Sequence, residues 1–157
     1  MDRASWCRRM VAAARGAVAI AAFCVGVMSA VASVGAQQSP ARTSSVANGL
    51  YTDVQARRGE AIYAENCAQC HRYDLTGGEL APALTGTVFT QRWTARPLSQ
   101  LFDYLCTQMP LNSPGGLSAQ QNADLLAFLL KKSGHAAGAS ELPASSEKLA
   151  GLRMVSP

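Results

Sequence analysis

Apolar residues fall at helical spacing in three stretches of the 157-residue chain. The clearest is 119–132, where Leu125, Leu126, Phe128, Leu129 and Leu130 follow a Ser118/Gln121 capping box and Lys131-Lys132 with Gly134 close the segment. A second begins at Pro97, suited to the first helical position, and places Leu98, Leu101, Phe102 and Leu105 at i, i+3, i+4 and i+7, ending near Cys106. The third opens on Thr52 with Gln55 as another capping box and carries Val54, Ala56, Gly59, Ala61 and Ile62 on a helical track to Cys67. Between them the pattern stops. Residues 72–96 hold Gly77-Gly78, Pro82 and Gly86 with no sustained period, which predicts a long loop of the wrapping kind. Met109 to Gly116, broken by two prolines and two glycines, predicts a second loop.

The ends read differently. Met1 to Arg15 is basic, and Gly16 to Ala36 then runs without a charge to the small residues Val34-Gly35-Ala36. This is the layout of a secretory signal peptide, with cleavage expected after Ala36 and the mature protein in the periplasm. The competing reading is an uncleaved membrane anchor, since about 20 apolar residues suffice to span a bilayer. Phe23 before Cys24 argues against lipidation, which needs a small residue there. Residues 37–51, rich in Ser, Ala, Gln and Asn, predict a flexible leader. The expected organisation is a signal at 1–36, the leader at 37–51, a compact domain at 52–134, and a tail at 135–157. A short amphipathic stretch, Leu142 to Leu152, would lay that tail over the domain.

Composition narrows the class. Only 6% of residues are aromatic, so an Ala-rich all-α fold is favoured over a β-sandwich. The formal charge of +4 is concentrated at the start: without residues 1–36, ten basic face nine acidic residues, a net of +1. That is too little to drive binding to a phosphate backbone, and nucleic acid is set aside.

The chemistry lies in Cys67-Ala68-Gln69-Cys70-His71. Cys-x-x-Cys-His is the covalent attachment signal of c-type haem: two thiols add across the vinyl groups, the spacer sets their separation, and the imidazole reaches the iron. A thioredoxin-like pair would need a βαβ setting, which the pattern lacks. A zinc site would need further ligands, and Cys106 and His135 do not supply them at zinc-site spacing.

From Asp53 to Gly134 the chain resembles the class I c-type cytochromes: a first helix with Gly59 and Tyr63 running into the motif, then Ala81-Pro82-Ala83-Leu84, a late Met-Pro, and a final Leu-rich helix. More narrowly, Leu101-Phe102-Asp103-Tyr104 before Met109-Pro110, with Pro114-Gly115-Gly116-Leu117-Ser118 and Glu141-Leu142-Pro143, are similar to the small cytochromes associated with pyrroloquinoline-quinone-dependent alcohol dehydrogenases. The resemblance implies a cytochrome c fold, three or more helices and long loops around one covalently bound haem c. It implies His71 and Met109 as iron ligands, Met109 lying 38 residues after His71, with Met154 as a competitor in the mobile tail. It implies that the Pro82 carbonyl accepts the Nδ1 proton of His71, that Leu84 packs on a haem edge, and that Gly59 lets the first helix cross the last against Leu125 and Phe128. Trp93 is either a propionate donor or a core aromatic. His135 is expected on the surface, and Cys106 either packs as a small hydrophobe or acts as a reactive thiol.

Iron held by His and Met has no open coordination position, so the expected role is passage of single electrons rather than oxygen chemistry. The expected partners are redox proteins: a dehydrogenase as donor, and a terminal oxidase or another cytochrome as acceptor. Three alternatives stand beside a free carrier. They are a fixed haem subunit of a larger complex, a haem enzyme or gas sensor with a displaceable Met109, and a membrane-bound cytochrome if residues 16–36 stay attached.

Overall fold

The computed structural model describes residues 44–45 and 49–154; the expected signal segment lies outside them. Among the described residues there are six helices and two strands of two residues each. Helix α1 (Asp53–Asn66), the single turn α2 (Ala68–His71), α3 (Gly86–Trp93), α4 (Leu98–Gln108), α5 (Ala119–Lys132) and α6 (Ser146–Leu149) enclose one apolar core. Strand β1 (Ser44–Ser45) pairs in parallel with β2 (Leu152–Arg153).

The fold is organised by the crossing of α1 and α5. Helix α1 buries Gln55, Ala56, Gly59 and Tyr63, while α5 is buried along its whole middle from Asn122 to Leu130. Gly59 is the point of closest approach: a Cβ there would fall on the Asp124 carbonyl and stand 2.9 Å from Phe128 Cβ. The small residue in α1 thus permits the crossing, with Phe128 and the Asp124 backbone as the opposing surface. Tyr63 and Phe128 rings then meet at 5.2 Å, an ordinary aromatic pair.

The two expected capping boxes turn out differently. At α5 the box is reciprocal, Ser118 Oγ accepting from Gln121 N–H at 3.2 Å and Gln121 Oε1 accepting from Ser118 N–H at 2.9 Å. At α1 only half forms: Thr52 Oγ1 accepts from Gln55 N–H at 3.1 Å. The Gln55 amide is instead fully buried, donating to Leu142 O at 3.0 Å and accepting from Leu142 N–H at 2.8 Å. A tertiary partner with both a donor and an acceptor outcompetes the local one.

Three further expectations are corrected. Residues 72–96 are not all loop, because 86–93 form α3, which buries Phe89 and Trp93, one turn apart. Its apolar signal is that single pair, too short to register as a period, and Gly86 opens it at φ +76°. Tyr51, assigned to the leader, is 1% exposed, and its hydroxyl donates to the His135 carbonyl. His135 itself is buried, not on the surface; its Nε2 has no hydrogen-bond partner among the described residues, and burial pushes its pKa down. It is trapped because the chain doubles back over it, with Gly138 N–H bonded to Tyr51 O at 2.6 Å.

Residues 139–154 run as a strap over the core. Leu142, Leu149 and Met154 are each 2% exposed or less. Arg58 Nε and Nη2 bond Asp124 at 2.8 and 2.9 Å, and Nη1 and Nη2 bond Glu141, both at 2.9 Å.

Candidate cofactor site

The end of α1 places the first thiol. Cys67 caps the helix, its N–H bonding Tyr63 O at 2.9 Å, and the chain then turns directly into α2. Within that turn His71 N–H returns to Cys67 O at 2.9 Å, so the two cysteines and the histidine form one compact unit. The Tyr63 hydroxyl donates to Arg72 O and ties the exit of the motif back to α1.

This unit forms one wall of a cavity of about 500 Å³, within the size range of cofactor sites. Cys67, Cys70 and His71 line it from the α1 side; Pro82 and Leu84 come from the loop, Trp93 from α3, and Leu101, Tyr104 and Leu105 from α4. Met109, the residue that ends α4, lines the same cavity. All four residues singled out in the sequence therefore meet at one apolar space. Met154 does not: it is 1% exposed in the core and absent from the cavity wall, because the strap that carries it packs down rather than moving freely.

The polar groups are few and aimed. His71 is buried, and its Nδ1 lies 2.7 Å from Pro82 O, which places the proton on Nδ1 and leaves Nε2 as the free lone pair. Burial, with Cys70 beside it, pushes the Cys67 thiol up to about 11, so it stays protonated at neutral pH. Cys67 and Cys70 are not joined in a disulfide. Among the described residues no group of three or more His, Cys, Asp or Glu is arranged to hold a metal ion, which leaves the zinc reading without a ligand set.

Trp93 is a core aromatic, 7% exposed, that also lines the cavity. Its ring stands 6.0 Å from Tyr104, and the Arg92 guanidinium sits 5.4 Å over Trp93 and 5.9 Å over Tyr104. Sequence reasoning missed Arg92 and Tyr104 as cavity residues. It also missed Leu80, Val88 and Leu111, which line the cavity yet are 75%, 72% and 71% exposed. Alternation of apolar and polar residues gives no sign of such positions, because each lies in a loop or a short helix without a sustained period.

The family model described as "Cytochrome C oxidase, cbb3-type, subunit III" matches residues 54–129, the stretch from the first turn of α1 to the last turn of α5. Residues 54–129 are a class I cytochrome c domain. A cytochrome c domain implies covalently bound haem c and an electron-transfer role. The donor set agrees with that cofactor: two unlinked thiols one turn apart, an imidazole nitrogen left free, a thioether on the same cavity, and an apolar enclosure. Among solved structures, the cytochrome is similar to a chain of the sulfane dehydrogenase SoxCD from Paracoccus pantotrophus, at 25% identity and a TM-score of 0.48, over 68% of this chain and 60% of that one. It thus spans about 60% of the SoxCD chain's length. No curated protein matches it.

Proposed function

We propose that this cytochrome is a periplasmic mono-haem electron carrier, accepting single electrons from a dehydrogenase and passing them to a terminal oxidase or another cytochrome. The observation that carries the proposal is the convergence of Cys67, Cys70, His71 and Met109 on one apolar cavity. Cys67 and Cys70 would hold one haem c through thioethers, and His71 and Met109 would ligate its iron. When bound, the haem supplies a reversible one-electron iron couple.

The chain's own residues prepare that couple. The Pro82 carbonyl keeps the His71 proton on Nδ1, which orients the ring and leaves Nε2 as the donor atom. Met109 as a thioether ligand, within an apolar wall, would disfavour the extra positive charge of the oxidised state and so raise the potential. With His71 and Met109 both as ligands, the iron would keep no position free for oxygen or peroxide. Dehydrogenases of the quinoprotein class remain the favoured donors, on the strength of the Met109-Pro110 and Glu141-Leu142-Pro143 segments.

Spectroscopy of the exported protein tests the reading. The oxidised form should show the weak far-red charge-transfer band of thioether sulfur on ferric haem, and Met109→Ala should abolish it and open the reduced protein to carbon monoxide. An unchanged band in that variant would refute the ligand assignment. Mass spectrometry should find a single haem on a chain beginning at Gln37.

A further inference from the structure

Helix α4 is the element that connects the strap to the cavity. On one side Leu101, Tyr104 and Leu105 line the cavity, and the helix ends directly in Met109. On the other side it packs on α6 and β2. The strap fixes α4 at two levels. At the start, Arg153 Nη1 donates to Ala95 O at 2.8 Å and Arg153 bridges to Pro97. Midway, Ser146 Oγ donates to Asp103 Oδ2 at 2.8 Å, and Leu149, fully buried, is the apolar residue that α6 contributes to the core. No residue of 139–154 lines the cavity.

The geometry points to residues 146–153 as a positioning strap for Met109. It acts by clamping the outer face of α4, with Ser146, Asp103 and Leu149 as positioning residues. The inference rests on the ligand reading given above. The inner face of α4 is held by Leu105 and Cys106 in the core and by packing on α5, whereas the loop that follows, with Pro110, Pro114 and two glycines, adds little, so the strap is the support of the other face. Releasing the clamp loosens α4 on its strap side while its packing on α5 keeps it in the core and the cysteine motif, on other elements, keeps its place. The consequence is a thioether that leaves the iron more often, while the haem stays covalently attached.

The test uses full-length, haem-loaded protein. In Ser146→Ala/Leu149→Ala, the reduced protein should bind carbon monoxide to an extent about tenfold above wild type, as loss of a bond to a carboxylate together with apolar contacts would allow. The far-red band should weaken, and helix content and haem attachment should be retained. Ser146→Ala alone should move the same way by a smaller factor and serves if the double variant does not fold. Gly59→Ala is the control, since it weakens the fold at the α1–α5 crossing and leaves the strap intact. Equal carbon monoxide binding in Gly59→Ala and the strap variants, or no rise in the strap variants, would overturn the inference. Absence of the far-red band from the wild type, or its persistence in Met109→Ala, would instead overturn the ligand reading.

Discussion

The two sides of this molecule use polar groups in opposite ways. Behind the core, at the α1–α5 crossing, polar side chains close the structure on itself: buried Gln55 clasps Leu142, and half-exposed Arg58 joins buried Asp124 to Glu141 at the surface. In front, polar groups are sparse, the walls are apolar, and Leu80, Val88 and Leu111 stand at the cavity largely exposed. The back is complete as a folded unit of protein. The front is built around something else, and its apolar lining is the protein half of an interface with a cofactor.

The largest expected effect would break the front alone. Cys67→Ala/Cys70→Ala should abolish covalent attachment altogether, so that acid-acetone extraction removes all haem; haem resisting extraction in that variant would refute the thioether assignment. At the back, Gly59→Ala should cost about 1–3 kcal/mol in urea unfolding, since the added methyl meets the Asp124 carbonyl and overpacks the crossing. A neutral result would show that α1 and α5 separate readily and that the two sides are less distinct than described.

A smaller effect concerns pH. The pKa of His135 is lowered by burial, so the unfolded chain binds a proton that the folded one refuses. Its contribution to stability is therefore full above the ordinary histidine range and declines as pH falls through it. Thermal unfolding at pH 7 and pH 5 should show the decline in wild type and a flatter profile in His135→Gln. The same slope in both would place the acid sensitivity elsewhere.

The smallest effect tests the front as a docking face. Lys131 and Lys132 are paired with Asp53 and Glu60 at 2.8 and 3.7 Å, and the chain after residue 36 carries a net of only +1. Electron transfer with a quinoprotein dehydrogenase should accordingly change only a few-fold between low and about 0.2 M salt, measured by stopped flow. A hundredfold fall would show that Arg92 and Arg96, which stack on Trp93 and form no salt bridge among the described residues, steer docking by themselves.

What the sequence made legible follows the same division. Helices α4 and α5 announce themselves because their buried faces repeat over three or more turns, and the cysteine motif because its chemistry demands fixed spacing. Gly59 could be read as a crossing point through the family resemblance, which sets a small residue in the first helix. Helix α3 escaped because Phe89 and Trp93 are its only buried pair. The fates of Gln55 and His135 escaped for another reason: both depend on the chain near Leu142 and Gly138 returning to the first helix, a contact between distant segments that no local pattern encodes. In the site, the four chemical residues were visible and the apolar rim was not, because a ligand's outline leaves no period in the chain that surrounds it.

The meeting of Gly59 with Asp124 has a consequence for biosynthesis. Those two residues bracket a long loop of chain that contains the cysteine motif, the Pro82 segment, α3, α4 and Met109. Closing so long a loop is a slow, non-local step relative to helix formation. During synthesis Cys67 and Cys70 are therefore made and accessible well before α5 exists to fold against α1. The thiols spend that interval on an unfinished chain, open to whatever machinery, or whatever oxidant, reaches them first.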